Sequence, residues 1–404
     1  MNLEELRATL QFKPIPRTHR ERVLARAYSI SDLRTAARKA LPRAVFDYVE
    51  GGSDEETTLY ENRVAFQSRQ LHPRTLNDVS SVSLETELFG SVLPAPLGFS
   101  PTGYTRMMHP DGEIAVARSA AKNGIPYALS TVGTTTIEEV AATGLNHLWM
   151  QIYLLRDREL TWALFDRAYA SGVRVLEFSI DTAIGARRLR DLRNGLTIPP
   201  SLSPATIIDI GMHPRYWTSM VRAPGMKFAN LADPDKPGQT VADINAQFDS
   251  SLTWHDLAEI RSRWNGRLLI KGPVSPQDAQ RAIDAGADGV HLSNHGGRQL
   301  DRCVPAIDLV APVRAQIGSK PTIVVDSGIR HGMDIAIAIA EGADLATVGR
   351  PYLYGLAAAG EAGVDAVYEL LTAELRRTLQ LLGCTSLTDL RTHGSTLITR
   401  RSHD

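Results

Sequence analysis

The chain has 404 residues, 43% of them apolar and 22% charged, with a formal net charge of −1. That size and balance suit a soluble chain that buries a full core, and the near-zero charge leaves no basic field to draw nucleic acid. Two cysteines, Cys303 and Cys384, make neither a disulfide framework nor a zinc site.

No apolar run is long enough to span a bilayer, and the leading MNLEELRATLQFKPIPRTHRER lacks an apolar signal core. The expectation is a metal-free protein in the cytoplasm, or one lying on the inner face of the cell membrane without crossing it. Residues 1–95 read as an amino-terminal helical extension. Within it, 30–39 reads as a helix with Ser31 as N-cap, and 42–49 as a second helix. This much chain before the first strand plugs the bottom of the fold or covers its rim.

From residue 96 onward, short β-branched or apolar runs alternate with helical patterns. Strands are predicted over 96–99, 127–130, 148–152, 173–180, 267–271, 289–293, 322–326 and 343–348. The segments 112–123, 158–171, 276–285 and 333–341 read as helices between them. Most intervals are about 20 to 35 residues, the size of one βα unit. Eight such units favour a closed (β/α)8 TIM barrel within the α/β class. The predicted layout is a single domain over 1–404, with the barrel at 96–375 and a tail at 376–404. The interval after strand four is far longer. Its 196–251 insertion is rich in Pro, Gly and aromatics, as in IPPSLSP, MHPRYW and ADPDKPGQ, and reads as a lid or docking loop, or else a solvated excursion.

In such a barrel the chemistry sits in the loops after the strands. Those loops begin Ser100-Pro101-Thr102-Gly103, Ser130-Thr131, Gln151 with Tyr153, Asp181 with Arg187 and Arg188, and Lys271-Gly272. The last three are Ser293-Asn294-His295-Gly296-Gly297-Arg298, Asp326-Ser327-Gly328-Ile329-Arg330 and Gly349-Arg350. Lys, His, Asp and several Arg converging on one rim are costly unless they pair or bind something. The last two loops fit the phosphate position of barrels, glycine admitting backbone N–H groups and Arg330 and Arg350 adding charge. No Rossmann or Walker loop is present. His295 is placed to accept a proton, and Asp181 either orients it or caps the following turn. Lys271 fits a Schiff base or a fixed charge beside a cofactor that becomes anionic on reduction. Arg188 and Arg298 suit a carboxylate substrate.

SNHGGRQLD at 293–301 resembles the active-site signature of the FMN-dependent 2-hydroxy-acid oxidase and dehydrogenase family. LPRAVFDYVEGG (41–52), SPTG (100–103), LST (129–131), QIYLLRDR (151–158), SIDTAIGARRLRDLRNG (179–195), IKG (270–272), DSGIRHG (326–332) and VGRPYLYGLAAAGEAGV (348–364) match further family blocks in order. The likeness covers most of the chain and looks strongest to bacterial respiratory L-lactate dehydrogenases. It implies FMN as cofactor and His295 as base with Asp181 as its partner. Arg188, Arg298 and Tyr48 would hold the substrate carboxylate, and Tyr153 would contact the substrate. Lys271 would stand by the flavin, and Pro101, Thr102, Gly103, Ser130, Gln151 and Ser179 around the ring. Asp326, Ser327, Gly328, Arg330, Gly349 and Arg350 would hold the ribityl chain and phosphate. A homotetramer is also implied.

Four positions depart from the family pattern. Ser179 replaces a frequent Thr, Ala183 a frequent Pro and Ser327 a common Gly or Thr. Val132 sits where some oxidases carry Trp and, with Gly103 and Tyr104, implies a pocket with room beyond glycolate, so an aromatic hydroxy acid stays open. Electrons from reduced FMN would pass to a quinone, a cytochrome or oxygen. The insertion falls where membrane-associated relatives carry a docking loop. Its Arg215, Tyr216, Trp217, Arg222 and Lys227 mix basic and aromatic groups as an interfacial segment does. Two rivals remain: a Lys271 Schiff-base aldolase and a non-catalytic flavin-binding barrel.

Overall fold

Alternation of side chains along eight short strands builds this molecule. The computed structural model describes residues 15–196, 203–221, 223, 225, 227–231 and 247–401. The barrel strands are β1 (Leu97–Phe99), β2 (Tyr127–Ser130), β3 (Leu148–Ile152), β4 (Val175–Ser179), β5 (Arg267–Gly272), β6 (Gly289–Leu292), β7 (Thr322–Val325) and β8 (Leu345–Val348). Each pairs in parallel with the next, and β8 closes on β1 through Thr347 opposite Gly98. The eight-stranded closed barrel expected from the sequence is the fold. Strand four starts at Val175 rather than at residue 173, because the Val173 N–H still bonds back to Ala168 O at the end of the preceding helix.

Neighbouring side chains on a strand point to opposite faces. On β4, Leu176 and Phe178 join the outer core beneath the helices, while Val175 belongs to the inner one. On β5, Leu268 and Ile270 face outward and Leu269 inward. The inner apolar cluster of Ala128, Trp149, Val175, Leu269, Val324 and Leu345 fills the amino-terminal half of the barrel. Two residues further along β4, β5 and β6 the inward positions turn polar, as Glu177, Lys271 and His291, all buried. The apolar floor supports a charged upper layer.

The amino-terminal extension closes both ends. Its short hairpin, Thr86–Leu88 with Ser91–Leu93, lays Leu88, Leu93 and Phe89 against the inner apolar cluster. Its helix Arg43–Glu50 instead sits on the opposite rim, where the Tyr48 and Gly51 carbonyls accept from Arg298. The first extension helix, Ile30–Ala40, is capped by Ser29, whose Oγ accepts from Asp32 N–H at 3.2 Å. Ser31, the cap expected from the sequence, lies inside the first turn.

Of the insertion, helices Pro204–Gly211 and Pro214–Met220 are described, and Asp209 accepts from the Arg43 N–H. Phe228 and Leu231 pack with Leu155 at the mouth of the barrel. Residues 198–202 of IPPSLSP, all of ADPDKPGQ, and Arg222 lie outside the described residues. At the carboxyl end the helix Glu361–Leu382 runs through the expected boundary at 376, and Ile398–Arg400 pairs antiparallel with Arg69–Leu71, tying the tail to the extension.

Helices Arg350–Ala359 and Glu361–Leu382 approach closely through two glycines. A Cβ on Gly363 would stand 1.9 Å from Gly355 O. Replacing Gly363 by Ala must push the helices apart, and overpacking of this kind costs about 1–3 kcal/mol. Thermal unfolding followed by circular dichroism should show a lower Tm for Gly363→Ala, whereas an unchanged Tm would mean the helices are not in this contact.

Candidate active site

The strand ends surround a cavity of about 400 Å³ on the carboxyl-terminal rim. Its walls include Tyr48, Pro101, Thr102, Gly103, Ser130, Gln151, Tyr153, Arg188, Lys271, His295, Arg298, Asp326, Ser327, Gly328, Arg330, Gly349 and Arg350. Two other residues singled out in the sequence, Asp181 and Ser179, stand behind this wall. Asp181 holds His295, and Ser179 holds Gln151.

His295 follows β6 in a loop whose own fold places it. Its φ is 57°, the left-handed region that a non-glycine residue seldom adopts, and its N–H donates to Ser293 Oγ at 3.1 Å. The ring meets Asp181, 114 residues earlier, with Nδ1 2.8 and 3.0 Å from the two carboxylate oxygens. An ionised carboxylate only accepts, so Nδ1 carries the proton and Nε2 is left facing the cavity. The Tyr153 hydroxyl lies 3.3 Å from Nε2. Burial opposes the charge on Asp181, but the His295 ring and then Lys271 outweigh it and hold the carboxyl below its ordinary range. Gln299 Nε2 donates to Asp181 O at 3.0 Å and fixes the loop after β4.

Two guanidinium groups flank the Tyr48 ring, Arg298 at 4.9 Å and Arg188 at 5.2 Å from its centroid. Burial, and then the neighbouring Arg188, pull the Arg298 guanidinium down to about 9. Asp191 lies 3.2 Å from Arg188. Two cations flanking one aromatic ring suit a carboxylate.

A second basic end lies at β7 and β8. Burial and then Arg330 lower the Arg63 guanidinium; burial and Arg330 also lower that of Arg350, against Tyr354. The rim is open at Gly349, where an added Cβ would meet nothing nearer than Thr102 Cγ2 at 3.5 Å. Mutually repelling arginines beside glycine backbone fit a phosphate. Between the two basic ends Ser130 Oγ donates to Gln151 Oε1 at 3.0 Å, and Gln151 Nε2 donates to Ser179 Oγ at 3.0 Å. Such a polar chain suits the edge of a heteroaromatic ring. Arg350 itself donates to the carbonyls of Val49, Gly296 and Gly51, each at 2.8 Å, so part of its donor set already binds the extension.

Lys271 Nζ donates to Ser293 Oγ at 2.7 Å and to Asp326 Oδ2 at 3.0 Å. Asp326 is held well below the carboxylate range because Lys271, and then His291, outweigh its burial. His291 and Glu177 belong to no sequence motif, since a strand-borne His or Glu sits in no loop; inward alternation with Lys271 is the signal for them. Arg63 belongs to none either, nor do Phe228 and Phe248 of the insertion, the two rings that line the mouth. Their rings stack edge-on against Tyr104 and Tyr153, at 4.8 and 4.9 Å.

The fold and this rim together define a (β/α)8 barrel that holds a phosphate-bearing cofactor beside a small acid. A model of FMN-dependent dehydrogenases matches residues 37–397. A putative L-lactate dehydrogenase of Mycobacterium tuberculosis is 42% identical over 390 residues, 96% of this chain and 94% of that protein. The (S)-mandelate dehydrogenase of Pseudomonas putida is 40% identical over 365 residues, 90% of this chain and 92% of that one. Among solved structures, that of the monotopic membrane protein (S)-mandelate dehydrogenase matches with a TM-score of 0.88 at 38% identity, covering 92% of this chain and 99% of the other. The chain belongs to the FMN-dependent dehydrogenase family, and its cofactor is FMN. It is an FMN-dependent 2-hydroxy-acid oxidoreductase.

Asp181 and Asp326 titrate below the ordinary aspartate value of 3.8 in the folded protein. Their folded values lie under the unfolded one, so their contribution to stability is full above about pH 4 and is lost as pH falls through the folded values. Urea unfolding between pH 6 and pH 3 should show this loss, and Asp181→Asn should flatten part of it. An unchanged acid limb in that variant would count against the His295–Asp181 pair.

Proposed function

We propose that the protein oxidises an L-2-hydroxy acid, L-lactate to pyruvate, and passes the electrons to a quinone or cytochrome. The observation that carries this reading is the convergence of His295, Tyr153, Arg188 and Arg298 on one cavity. Arg188 and Arg298, with Tyr48 between them, bind the substrate carboxylate and fix which face of C2 turns inward. His295 Nε2 accepts a proton from the substrate, and Tyr153 hydrogen-bonds the reacting end. Asp181 keeps the proton on Nδ1 and stabilises the imidazolium that results. When bound, FMN supplies the acceptor for the two electrons. Pro101, Thr102, Gly103, Ser130 and Gln151 would border its ring, Ser179 would hold Gln151 from behind, and Lys271 would place a fixed positive charge beside it. Asp326, Ser327, Gly328, Arg330, Gly349 and Arg350 would hold the ribityl chain and phosphate, the carboxylate of Asp326 serving the ribityl hydroxyls and the arginines the phosphate.

A second reading, an aromatic hydroxy acid of the mandelate type, is favoured by the apolar mouth. Val132, Tyr104, Phe228 and Phe248 would enclose a ring on C2. An anaerobic screen separates the two: faster flavin bleaching by L-lactate supports the first, faster bleaching by L-mandelate the second. No bleaching by any 2-hydroxy acid rejects both. Reoxidation by oxygen rather than by a quinone analogue would make the enzyme an oxidase. His295→Gln should keep FMN and slow bleaching on the order of 10²–10⁴-fold. An unchanged rate would remove His295 from the mechanism.

We also propose peripheral membrane association through 196–251. Among the described residues no helix is long and apolar enough to cross a membrane. The insertion nevertheless leaves Ile207, Ile208, Met212, Trp217 and Val221 exposed, with Arg215 on the same helix as Trp217 and Lys227 further along. Apolar side chains beside basic ones suit the headgroup boundary. Deleting 205–245 should move the protein from the membrane to the soluble fraction of expressing cells. A full-length protein already wholly soluble would sink the idea.

A further inference from the structure

Glu177 on β4 and His291 on β6 are fully buried inside the barrel, and the proposed proton transfer does not use them. They sit one inward position below Ser179 and Ser293 on their strands. Glu177 Oε1 lies 3.0 Å from His291 Nδ1, and His291 Nε2 lies 3.2 Å from Asp326 Oδ2. The same Asp326 oxygen accepts from Lys271 Nζ at 3.0 Å.

Both imidazole nitrogens therefore face a carboxylate, and an ionised carboxylate only accepts. A neutral ring would turn a lone pair toward one of them. Thr347 Oγ1 is also 3.3 Å from Nε2 and accepts from Ser100 Oγ at 2.8 Å, but the Asp326 oxygen stands nearer to Nε2 and carries the charge. The consistent assignment is an imidazolium. Glu177, His291, Asp326 and Lys271 then alternate −, +, −, + and sum to zero, as burial demands. Lys271 and Asp326 border the cofactor cavity, while Glu177 and His291 do not.

We propose that Glu177 and His291 are positioning residues that set the reduction potential of bound FMN by controlling how far Asp326 neutralises Lys271. The idea rests on Lys271 lying beside the flavin ring, as proposed above. His291 engages Asp326 from below and leaves the Lys271 charge to stabilise the negative charge that FMN gains on reduction. Without the imidazolium, Asp326 answers Lys271 alone, and reduction becomes harder. Without the Glu177 charge, burial and Lys271 take the proton from His291, Asp326 again answers Lys271 alone, and reduction becomes harder. Burial would strip the His291 proton, but Glu177 and Asp326 together outweigh it, and the ring titrates above its ordinary value.

The test is spectroelectrochemical titration of the holoenzyme. Glu177→Gln and His291→Gln should each lower the flavin potential. Each change should be about tenfold in the reduced-to-oxidised ratio, about 30 mV for a two-electron couple, and the double variant should fall no further than the His291 variant alone. Shifts of opposite sign, or none, overturn the proposal. Lys271→Met separates the two layers of the argument. If it leaves the potential unchanged, the placement of Lys271 beside the flavin fails. If it lowers the potential while the Glu177 and His291 variants do nothing, only the present proposal fails. A readout that needs no substitution to fold is ¹⁵N NMR of the histidine-labelled parent protein. Both His291 nitrogens should be protonated at pH 7, and an unprotonated one overturns the assignment.

Discussion

Two arginines that bind backbone carbonyls hold the site together. Arg298 donates to the carbonyls of Tyr48 and Gly51, and Arg350 to those of Val49, Gly51 and Gly296. All but Gly296 are carbonyls at the end of helix Arg43–Glu50, where no further turn satisfies them and the helix dipole is negative. The guanidinium groups meet both needs at once. They also fix Tyr48 over the barrel mouth, so a residue from the extension becomes part of a cavity built on strand ends. Ser53 N–H to Gly297 O and Asp54 N–H to Arg187 O stitch the same segment to the loops after β6 and β4.

This clamp has an electrostatic consequence. Carbonyl dipoles anchor the arginines but do not neutralise them, so net positive charge stays crowded around Tyr48 and along β7 and β8. In the proposed reading, a substrate carboxylate near Arg188 and Arg298 and a phosphate near Arg330 would relieve that crowding at each end. The geometry that assembles the pocket is thereby the geometry that selects what enters it. Beneath the rim the buried charges pair among themselves, Lys271 with Asp326 and His291 with Glu177.

The strand-end residues were legible in the sequence because a parallel barrel puts every strand terminus on one face. Seventeen of the nineteen positions singled out as site residues border the cavity, and Asp181 and Ser179 support it from behind. Residues on the strands themselves were not legible in the same way. Glu177 and His291 look like ordinary strand positions until the register places both beside Asp326. Nor did the sequence separate a capping serine at 29 from one at 31, since either could precede the first turn.

By itself the sequence determined the repeating βα rhythm, the rim chemistry and the family likeness carried by SNHGGRQLD. Those are local: they depend on alternation, turn residues and motifs within a few positions of one another. Tertiary structure alone decided that the extension covers both ends of the barrel, that Phe228 and Phe248 from the insertion wall the mouth, and that Arg350, on the cavity wall, donates to three backbone carbonyls. Each of these is a contact across a hundred residues or more, or across the insertion, and depends on the closed geometry of the sheet. Side-chain reach at such separations is set by where the strands and helices are held, which no local pattern encodes.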